Sequence, residues 1–166
     1  YFKMREEPLY RSLHSGLIRQ LFAEYLTYGG YPAVALEKDQ AEKKEILRDL
    51  VRTYLKRDVF DANDSDYLKV VQLLKVLAFQ AGQLVNINEL SVTLKYAMPT
   101  IQNYLYVLQK CYHICLLKPF YRNIRNELTR MPKVFFHDNG FRNAVMDSWE
   151  PLTNRPDRGS IMENAT

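Results

Sequence analysis

Cysteine is scarce in this sequence, and the two cysteines present, Cys111 and Cys115, are too few for the disulfide framework of a small secreted domain. We therefore expect a reducing, cytoplasmic location. No apolar run approaches the ~20 residues that a membrane-spanning helix needs, and the first residues lack the pattern of a signal peptide. These absences exclude the disulfide-rich secreted class and predict a protein that does not engage the membrane.

Complete catalytic motifs are also missing. The sequence contains no P-loop, no glycine-rich phosphate cradle and no cluster of paired carboxylates. His137-Asp138 suggests acid–base chemistry, but no nucleophile or third partner adjoins the pair. Asp138-Asn139-Gly140 is instead predicted to turn the chain and cap the helix that follows. The residues present therefore predict no complete catalytic site and no bound cofactor.

A zinc site is the third class that the sequence disfavours. Cys111, His113 and Cys115 alternate, so a strand would place all three on one face. Zinc requires a fourth ligand and a spacing such as C-x₂-C, and neither is present. We therefore predict that these three residues belong to the core at a helix end and a strand.

The remaining composition is that of a globular protein. The chain has 166 residues, of which 47% are apolar, so it can form one or two small domains with a hydrophobic core. Its net charge of +4 and pI of 9.0 permit an anionic partner without requiring one. The chain begins without methionine and stops at IMENAT, and we expect both ends to be cuts in a longer protein.

Residues 1–62 are predicted to form a helical segment. After an irregular start over residues 1–14, Ser15 opens a helical pattern that ends at Gly29-Gly30, where glycine can adopt the left-handed turn that stops a helix. The apolar stripe of this helix comprises Leu17, Ile18, Leu21, Phe22 and Tyr25.

A second helix in this segment follows a rigid connector at residues 31–34, which contains Pro32. The helix is predicted from about Asp39, which can cap it, to Val59. Its buried face comprises Ile46, Leu47, Leu50, Val51, Tyr54 and Leu55.

Residues 63–148 are predicted to form a winged-helix domain. A polar, turn-like stretch at residues 63–66 marks its start, and three helices follow. Gly82 ends the first helix, Asn86 caps the second, and Pro99 suits the first position of the third. The residues predicted to face inward are Tyr67, Val70, Val71, Leu74, Leu77, Ala78, Ala81, Ile87, Leu90, Leu94, Ile101, Leu105 and Leu108.

A β-hairpin is predicted directly after the third helix. Residues 113–122 would form one strand, residues 133–137 its partner, and residues 123–132 the loop between them. A helix-turn-helix followed by such a hairpin is the order of a winged helix. The predicted fold class is therefore mainly α with a small β-hairpin: a helical linker followed by a winged helix-turn-helix domain.

The third helix of this domain offers a polar outer face. In a helix-turn-helix the second helix of the pair enters the major groove. Gln102 and Asn103 can each contact adenine through two hydrogen bonds, Thr100 and Lys110 can contact phosphate, and Tyr106 can do either. The alternative is a solvated helix face, since this surface contains one lysine and no arginine.

The predicted wing concentrates positive charge. Its cations can follow a phosphate backbone or reach into a minor groove, or they can hold a neighbouring domain of the same protein. They are Lys118, Arg122, Arg125, Arg130 and Lys133. A further cation, Arg57, lies at a predicted helix end, either as a solvated terminus or as a nucleotide-sensing or interdomain arginine.

Several stretches together resemble one family, the prokaryotic predicted AAA+-type ATPases. They are YGGYP at 28–32, YLKRDV at 54–59, QAGQLVNINELS at 80–91, TIQNYLYVLQKCYHICLLKPFYRNIR at 100–125, PKVFFHDNG at 132–140, and Gly159 with Glu163-Asn164. Each motif is unspecific alone, but their order and spacing are specific and cover nearly the whole chain from about residue 15.

The resemblance implies that this chain is the middle of a longer protein. An ATPase module that uses ATP and Mg²⁺ would precede it, and a restriction-nuclease-like domain of unknown function would begin within residues 149–166. Glu163 matches the first acidic helix position of that domain, which can help to hold a divalent metal in active members. Partners implied are double-stranded DNA and the protein's own ATPase and nuclease-like domains. The family commonly has Asp-Thr-Gly where this chain has Asp138-Asn139-Gly140.

Overall fold

Helices account for most of the described chain, and one small antiparallel hairpin completes it, which confirms the predicted mainly α class. The computed structural model describes residues 8–59, 64–119 and 130–165. The helices are α1 (Pro8–Tyr28), α2 (Pro32–Leu36), α3 (Gln40–Val59), α4 (Asp64–Phe79), α5 (Ile87–Leu94), α6 (Met98–Lys110), α7 (Asn139–Met146) and α8 (Arg158–Asn164). The strands are β1 (Ile114–Leu117) and β2 (Lys133–Phe136), and residues Leu152–Asn154 form a 3₁₀ turn.

The first helix begins earlier than predicted and ends where predicted. Helix α1 starts at Pro8 rather than Ser15, since proline is compatible with the first turn of a helix. It ends at Tyr28, and Gly29 adopts the left-handed conformation with φ 75°. Within the connector after it, Pro32 initiates the short helix α2, which the sequence analysis did not predict.

The apolar stripe of α1 lies on the surface. Side chains at its five positions are 43–54% exposed. Buried contacts come instead from the C-terminal end of the helix, where Leu26 and Tyr28 are covered. Among the side chains of α1 that the structure describes, those from Ser15 onward, the buried ones thus lie in its last turn.

Helix α3 begins as predicted. The carboxylate of Asp39 accepts hydrogen bonds from the backbone N–H groups of Ala41 (2.7 Å) and Glu42 (3.1 Å), which confirms the cap. Of the predicted inner face, Leu47 and Leu55 are fully buried and the other members are half-buried.

The three helices of the second segment appear in the predicted order. Helix α4 begins at Asp64, so part of the predicted turn at residues 63–66 is helical, and Asn63 lies outside the described residues. Gly82 has φ 80° after the end of α4. The side chain of Asn86 accepts from the N–H groups of Asn88 (3.0 Å) and Glu89 (3.4 Å), which confirms its cap on α5.

Helix α6 starts one residue before Pro99 rather than at it. Its predicted inner residues Ile101, Leu105 and Leu108 are buried, and Tyr104 is buried beside them. The turn between α5 and α6 passes through Lys95, which has φ 59°.

The hairpin is shorter than predicted. Strands β1 and β2 pair antiparallel from Ile114 opposite Phe136 to Leu117 opposite Lys133. The first strand does not continue through Lys118 and Pro119, because proline has no N–H to donate to a ladder. The rest of the predicted strand and most of its loop, residues 120–129, lie outside the described residues.

A third segment borders the hairpin. The N–H of Gly82 donates to the carbonyl of Val134 (2.8 Å), and the N–H of Val134 donates to the carbonyl of Gln83 (3.1 Å). Strand β2 therefore has β1 on one side and residues 82–85 on the other, which ties the end of α4 to the hairpin.

The main core joins both predicted segments. Leu55 of α3 packs in the same buried cluster as residues of α4, α5, α6, both strands and α7. Helix α7 contacts α1, α3 and α4. His113 is buried here as predicted, with its ring stacked on Phe141 at a centroid distance of 5.0 Å. Division of the chain at residues 62/63 and 148/149 stays a prediction.

Candidate nucleic-acid interface

The outer face of α6 is a polar stripe on the surface. Gln102, Asn103, Tyr106 and Lys110 are exposed, whereas Thr100 is half-buried. Positions 103, 106 and 110 follow one another at helical spacing, so they lie on the same side of the helix. The sequence predicted this face correctly apart from the partial burial of Thr100.

The inner face of α6 fixes the orientation of that stripe. Tyr104 donates its hydroxyl to the carboxylate of Asp66 at 3.0 Å, and Lys69 holds the same carboxylate at 2.9 Å. Burial raises the pKa of Tyr104, and the hydrogen bond from Lys69 lowers the pKa of Asp66. A hydrogen-bonded, charged link therefore joins the inner face of α6 to the first turn of α4.

The C-terminal end of α6 carries aromatic residues that the sequence prediction only partly included. Tyr106, Gln109, Lys110 and Tyr112 line an open cleft of 320 Å³. Lys110 Nζ lies 5.4 Å from the centroid of the Tyr106 ring, close enough for a cation–π contact. Tyr112 was missed because it follows the helix, and a pattern of helical spacing does not reach it.

The cations of the predicted wing have different surroundings. Lys118 and Arg130 are exposed. Arg122 and Arg125 lie outside the described residues. Lys133 is half-buried and forms an ion pair of 2.7 Å with Glu163. Lys133 was predicted to contact DNA and Glu163 to help hold a metal, and these two side chains contact each other.

Glu163 and Asn164 dock α8 onto the hairpin. The side chain of Asn164 accepts from the N–H of Phe136 (2.6 Å) and donates to the carbonyl of the same residue (2.9 Å), as a neighbouring strand would. Its Nδ2 also lies 2.8 Å from Oδ1 of Asn139. In the described ranges 8–59, 64–119 and 130–165, no three His, Cys, Asp or Glu side chains form a group that could hold a metal.

Asp138 has the predicted capping role and an additional one. Its carboxylate accepts from the N–H of Phe141 at 2.8 Å, which caps α7, and from the N–H of Gly30 at 2.7 Å. Burial raises the pKa of Asp138, and it raises the pKa of Tyr31 in the same cleft to about 12. Both carboxylate oxygens are engaged by backbone donors, so the geometry supports capping rather than acid–base chemistry.

A family comparison agrees with the extent of this fold. Residues 19–152 match the family model described as Domain of unknown function (DUF8612). The match covers most of the chain, from the exposed part of α1 to the turn after α7. The chain belongs to this family.

Two curated relatives are similar to most of the chain. One is an uncharacterized protein of Haemophilus influenzae, 32% identical over 136 residues, which cover 77% of this chain and 33% of the relative. The other is an uncharacterized protein of Methanocaldococcus jannaschii, 24% identical over 161 residues, which cover 95% of this chain and 34% of the relative. The chain thus spans about a third of the length of these relatives. No solved structure matches it significantly.

In this family member α7 buries polar side chains that sequence reasoning did not single out. Asn143 donates to the carbonyls of Leu26 (3.1 Å) and Thr27 (2.9 Å) at the end of α1. Arg142 donates to the carbonyl of Ala78 (2.9 Å) at the end of α4. Carbonyls in the last turn of a helix lack hydrogen-bond donors within the helix, and these two side chains supply such donors.

Arg142 is also part of a buried ion cluster. Its side chain has no exposed surface, and Nη1 lies 2.5 Å from Oδ2 of Asp157. Arg155 contacts the same carboxylate at 2.7 Å. The hydrogen bond from Arg155 holds the pKa of Asp157 well below its ordinary range, with Arg142 acting in the same direction.

Arg57 lies beside an aromatic ring at the surface. Its guanidinium is 5.3 Å from the centroid of Tyr54, whose ring in turn stacks with buried His113 at 6.2 Å. This contact connects an exposed cation to the core. A nucleotide-sensing role for Arg57 stays a prediction.

Membrane-spanning helices are absent from the described ranges, where every helix is too short or too polar to cross a bilayer.

Proposed function

We propose that this chain is a winged-helix module of a larger AAA+-type ATPase, that it binds double-stranded DNA, and that it couples the ATPase to a nuclease-like domain. The supporting observation is the exposed polar stripe of α6. It follows a helix-turn-helix and precedes an antiparallel hairpin, so its side chains are presented as major-groove contacts would require.

The roles within this interface follow from side-chain chemistry. Gln102 and Asn103 contact base edges, and Lys110 contacts phosphate. The phosphate backbone is contacted by five cations of the wing: Lys118, Arg122, Arg125, Arg130 and Lys133. ATP and Mg²⁺ are cofactors of the parent protein's ATPase module and have no proposed site in this chain.

A titration of labelled duplex DNA at about 50 and about 200 mM salt tests this function, because each phosphate contact releases counterions and steepens the salt dependence. We expect Lys110→Ala to reduce the slope by about one contact. The control is Lys38→Ala, since Lys38 is exposed and lines a different cleft with Gln20 and Trp149. Absence of binding at the lower salt concentration would contradict the proposal.

The wing is tested in the same titration. Alanine at Arg122, Arg125 and Lys133 should weaken binding to duplexes of any sequence to a similar degree and reduce the salt slope. Unchanged affinity and slope would remove the wing from the interface.

A docking scaffold without DNA contact is the second candidate, and the exposed stripe of α1 favours it. A contiguous apolar surface of this kind is typical of an interaction site. The proposed occupant is the ATPase module of the parent protein, with Arg57 as a sensor of its nucleotide state. The curated relatives are long enough to contain such a module, because this segment is about a third of their length.

ATP hydrolysis by the parent protein distinguishes the second candidate. Leu21→Ser with Phe22→Ser should change the rate if the stripe packs on the ATPase module, and Arg57→Ala should change it if Arg57 senses nucleotide. An unchanged rate in either variant removes that part of the hypothesis. The cysteine content, with neither Cys111 nor Cys115 in a disulfide, fits the cytoplasmic location proposed for the protein.

A further inference from the structure

The cleft at the C-terminal end of α6 presents two aromatic rings and a cation to solvent. Tyr106 is 58% exposed and Tyr112 is 76% exposed, and both line the cleft of 320 Å³ together with Gln109 and Lys110. Covering large exposed aromatic side chains with a ligand is favourable, because it removes apolar surface from water. Two of them beside a lysine form a surface suited to a flat, anionic ligand.

Tyr112 occupies a backbone position at which tyrosine is unfavourable. Its φ is 57°, in the left-handed region that glycine adopts most easily. Backbone hydrogen bonds hold it there, because Tyr112 N–H donates to Gln109 (3.2 Å) and His113 N–H donates to Leu108 (3.0 Å). These bonds form the usual helix-ending turn, which requires no side chain at this position.

Packing does not account for the tyrosine either. Its ring is mostly exposed, and it meets the ring of His137, which is itself exposed, in an edge-on contact at a centroid distance of 5.9 Å. A residue kept in a costly conformation without burial indicates a role outside the fold. The contact with His137 leaves most of the side chain exposed, and the same side chain lines the cleft.

We propose that this cleft binds an unpaired nucleobase, which stacks on Tyr112 and Tyr106 while Lys110 contacts the adjacent phosphate. Aromatic platforms beside cations are the general means of holding single-stranded nucleic acid. Tyr106 and Lys110 also belong to the polar stripe of α6, so the cleft continues the proposed duplex interface. The inference rests on the proposed function and specifies its substrate as duplex DNA with a single-stranded end.

Four fluorescent probes test the proposal: a blunt duplex, the same duplex with a thymidine overhang, the same duplex with an abasic overhang, and the thymidine strand alone. The abasic overhang retains the phosphates and lacks the bases, so it separates stacking from charge. We expect the thymidine overhang to bind about tenfold or more tightly than the abasic one. A blunt duplex that binds as tightly as the thymidine overhang would overturn the inference and leave the proposed function intact.

Two tyrosine variants localise the effect. Tyr112→Gly should abolish the advantage of the thymidine overhang and should unfold at the same or a higher temperature, because glycine suits φ 57°. Tyr25→Ala, which removes an exposed tyrosine on α1, should retain the advantage. A Tyr112→Gly protein that keeps the full advantage would overturn the inference.

The single strand separates the remaining outcomes. If the thymidine strand binds, the blunt duplex does not, and Tyr112→Gly abolishes the binding of the strand, the cleft is supported and duplex binding is contradicted. Failure of all four probes would contradict both the cleft and the proposed function. That last outcome is the one expected if the cleft binds a peptide or a protein instead of a nucleobase.

Discussion

Helices α6 and α7 both carry asparagine and cationic side chains, yet the two helices use them in opposite ways. On α6, Gln102 and Asn103 extend into solvent. On α7, Asn143 and Arg142 are buried and donate to the carbonyl ends of α1 and α4. Residue type alone therefore does not determine the role of a side chain. That role depends on whether a neighbouring helix ends close by, because the last carbonyls of a helix need hydrogen-bond donors from outside it.

The largest effect is expected in the ion cluster beside α7. Asp157→Asn removes the counter-charge of Arg142 and Arg155, both of which are buried. Breaking a buried pair from one side typically costs about 3–5 kcal/mol, and we expect a loss of that order in the free energy of unfolding measured with urea. A loss under about 1 kcal/mol, the scale of a surface pair, would show that the cluster does not stabilise the fold.

Acid should weaken the same cluster. Because the folded state holds the pKa of Asp157 below its ordinary value, its stabilising contribution is present above about pH 3.9 and is lost as the pH falls toward the folded pKa. Urea midpoints at neutral pH and at about pH 3 should therefore differ more for the native protein than for Asp157→Asn. Equal differences in both proteins would contradict this assignment.

The next largest effect on the free energy of unfolding is expected at Gly140. A Cβ there would lie 2.0 Å from the carbonyl oxygen of Tyr28, so α7 and the end of α1 would have to separate. We expect Gly140→Ala to cost about 1–3 kcal/mol or more, as overpacking does. Gly159→Ala is the matched control, since a Cβ at position 159 meets no atom within 4 Å among the described residues. It should be neutral or stabilise by up to about 1 kcal/mol.

Asn164 tests how firmly α8 is docked. Asn164→Ala removes two hydrogen bonds to the backbone of Phe136 and one to Asn139, and we expect a loss of about 1–3 kcal/mol in the free energy of unfolding. Asn103→Ala is the control from the other helix, because Asn103 is exposed on α6. Equal effects at the two positions would remove the distinction drawn between these surfaces.

The smallest effect on stability is expected on α6 itself. Gln102→Ala with Asn103→Ala should change the free energy of unfolding by less than about 0.5 kcal/mol, as surface substitutions do. The same variant should lose about 1–3 kcal/mol of discrimination for each base contact in duplex binding. A larger loss in the free energy of unfolding, with unchanged duplex binding, would contradict the comparison between the two helices.

Local signals in the sequence predicted the elements well. Asp39, Asn86 and Asp138 cap the helices they were expected to cap, and Gly29 ends the first one, because these effects depend on residues a few positions apart. The first strand was predicted too long because apolar residues resume at Phe120 and Tyr121 after Lys118 and Pro119, and the prediction gave this pattern more weight than the missing N–H of Pro119.

Long-range partners were outside the reach of the same reasoning. The sequence identified the helix cap of Asp138 but not its bond to Gly30, which lies 108 residues away. It predicted Glu163 and Lys133 for two separate sites and gave no sign that the two side chains pair at 2.7 Å. At position 139, where the family that the sequence resembles commonly has threonine, nothing in the sequence indicated a buried role for the asparagine. Asn139 is in fact buried between Ile161 and Asn164.

The bond between Asp138 and Gly30 has a consequence for the order of folding. Helices α4, α5 and α6 contact one another over short stretches of chain and can form early, whereas Gly30 must wait for the chain to close a loop of 108 residues. Long-range closures of this kind slow folding more than they alter stability. We expect the amide hydrogens of α4–α6 to gain protection from exchange before that of Gly30 does. On this basis we expect the joining of α1 to α7, rather than the formation of the helix-turn-helix, to set the rate at which the protein reaches its final structure.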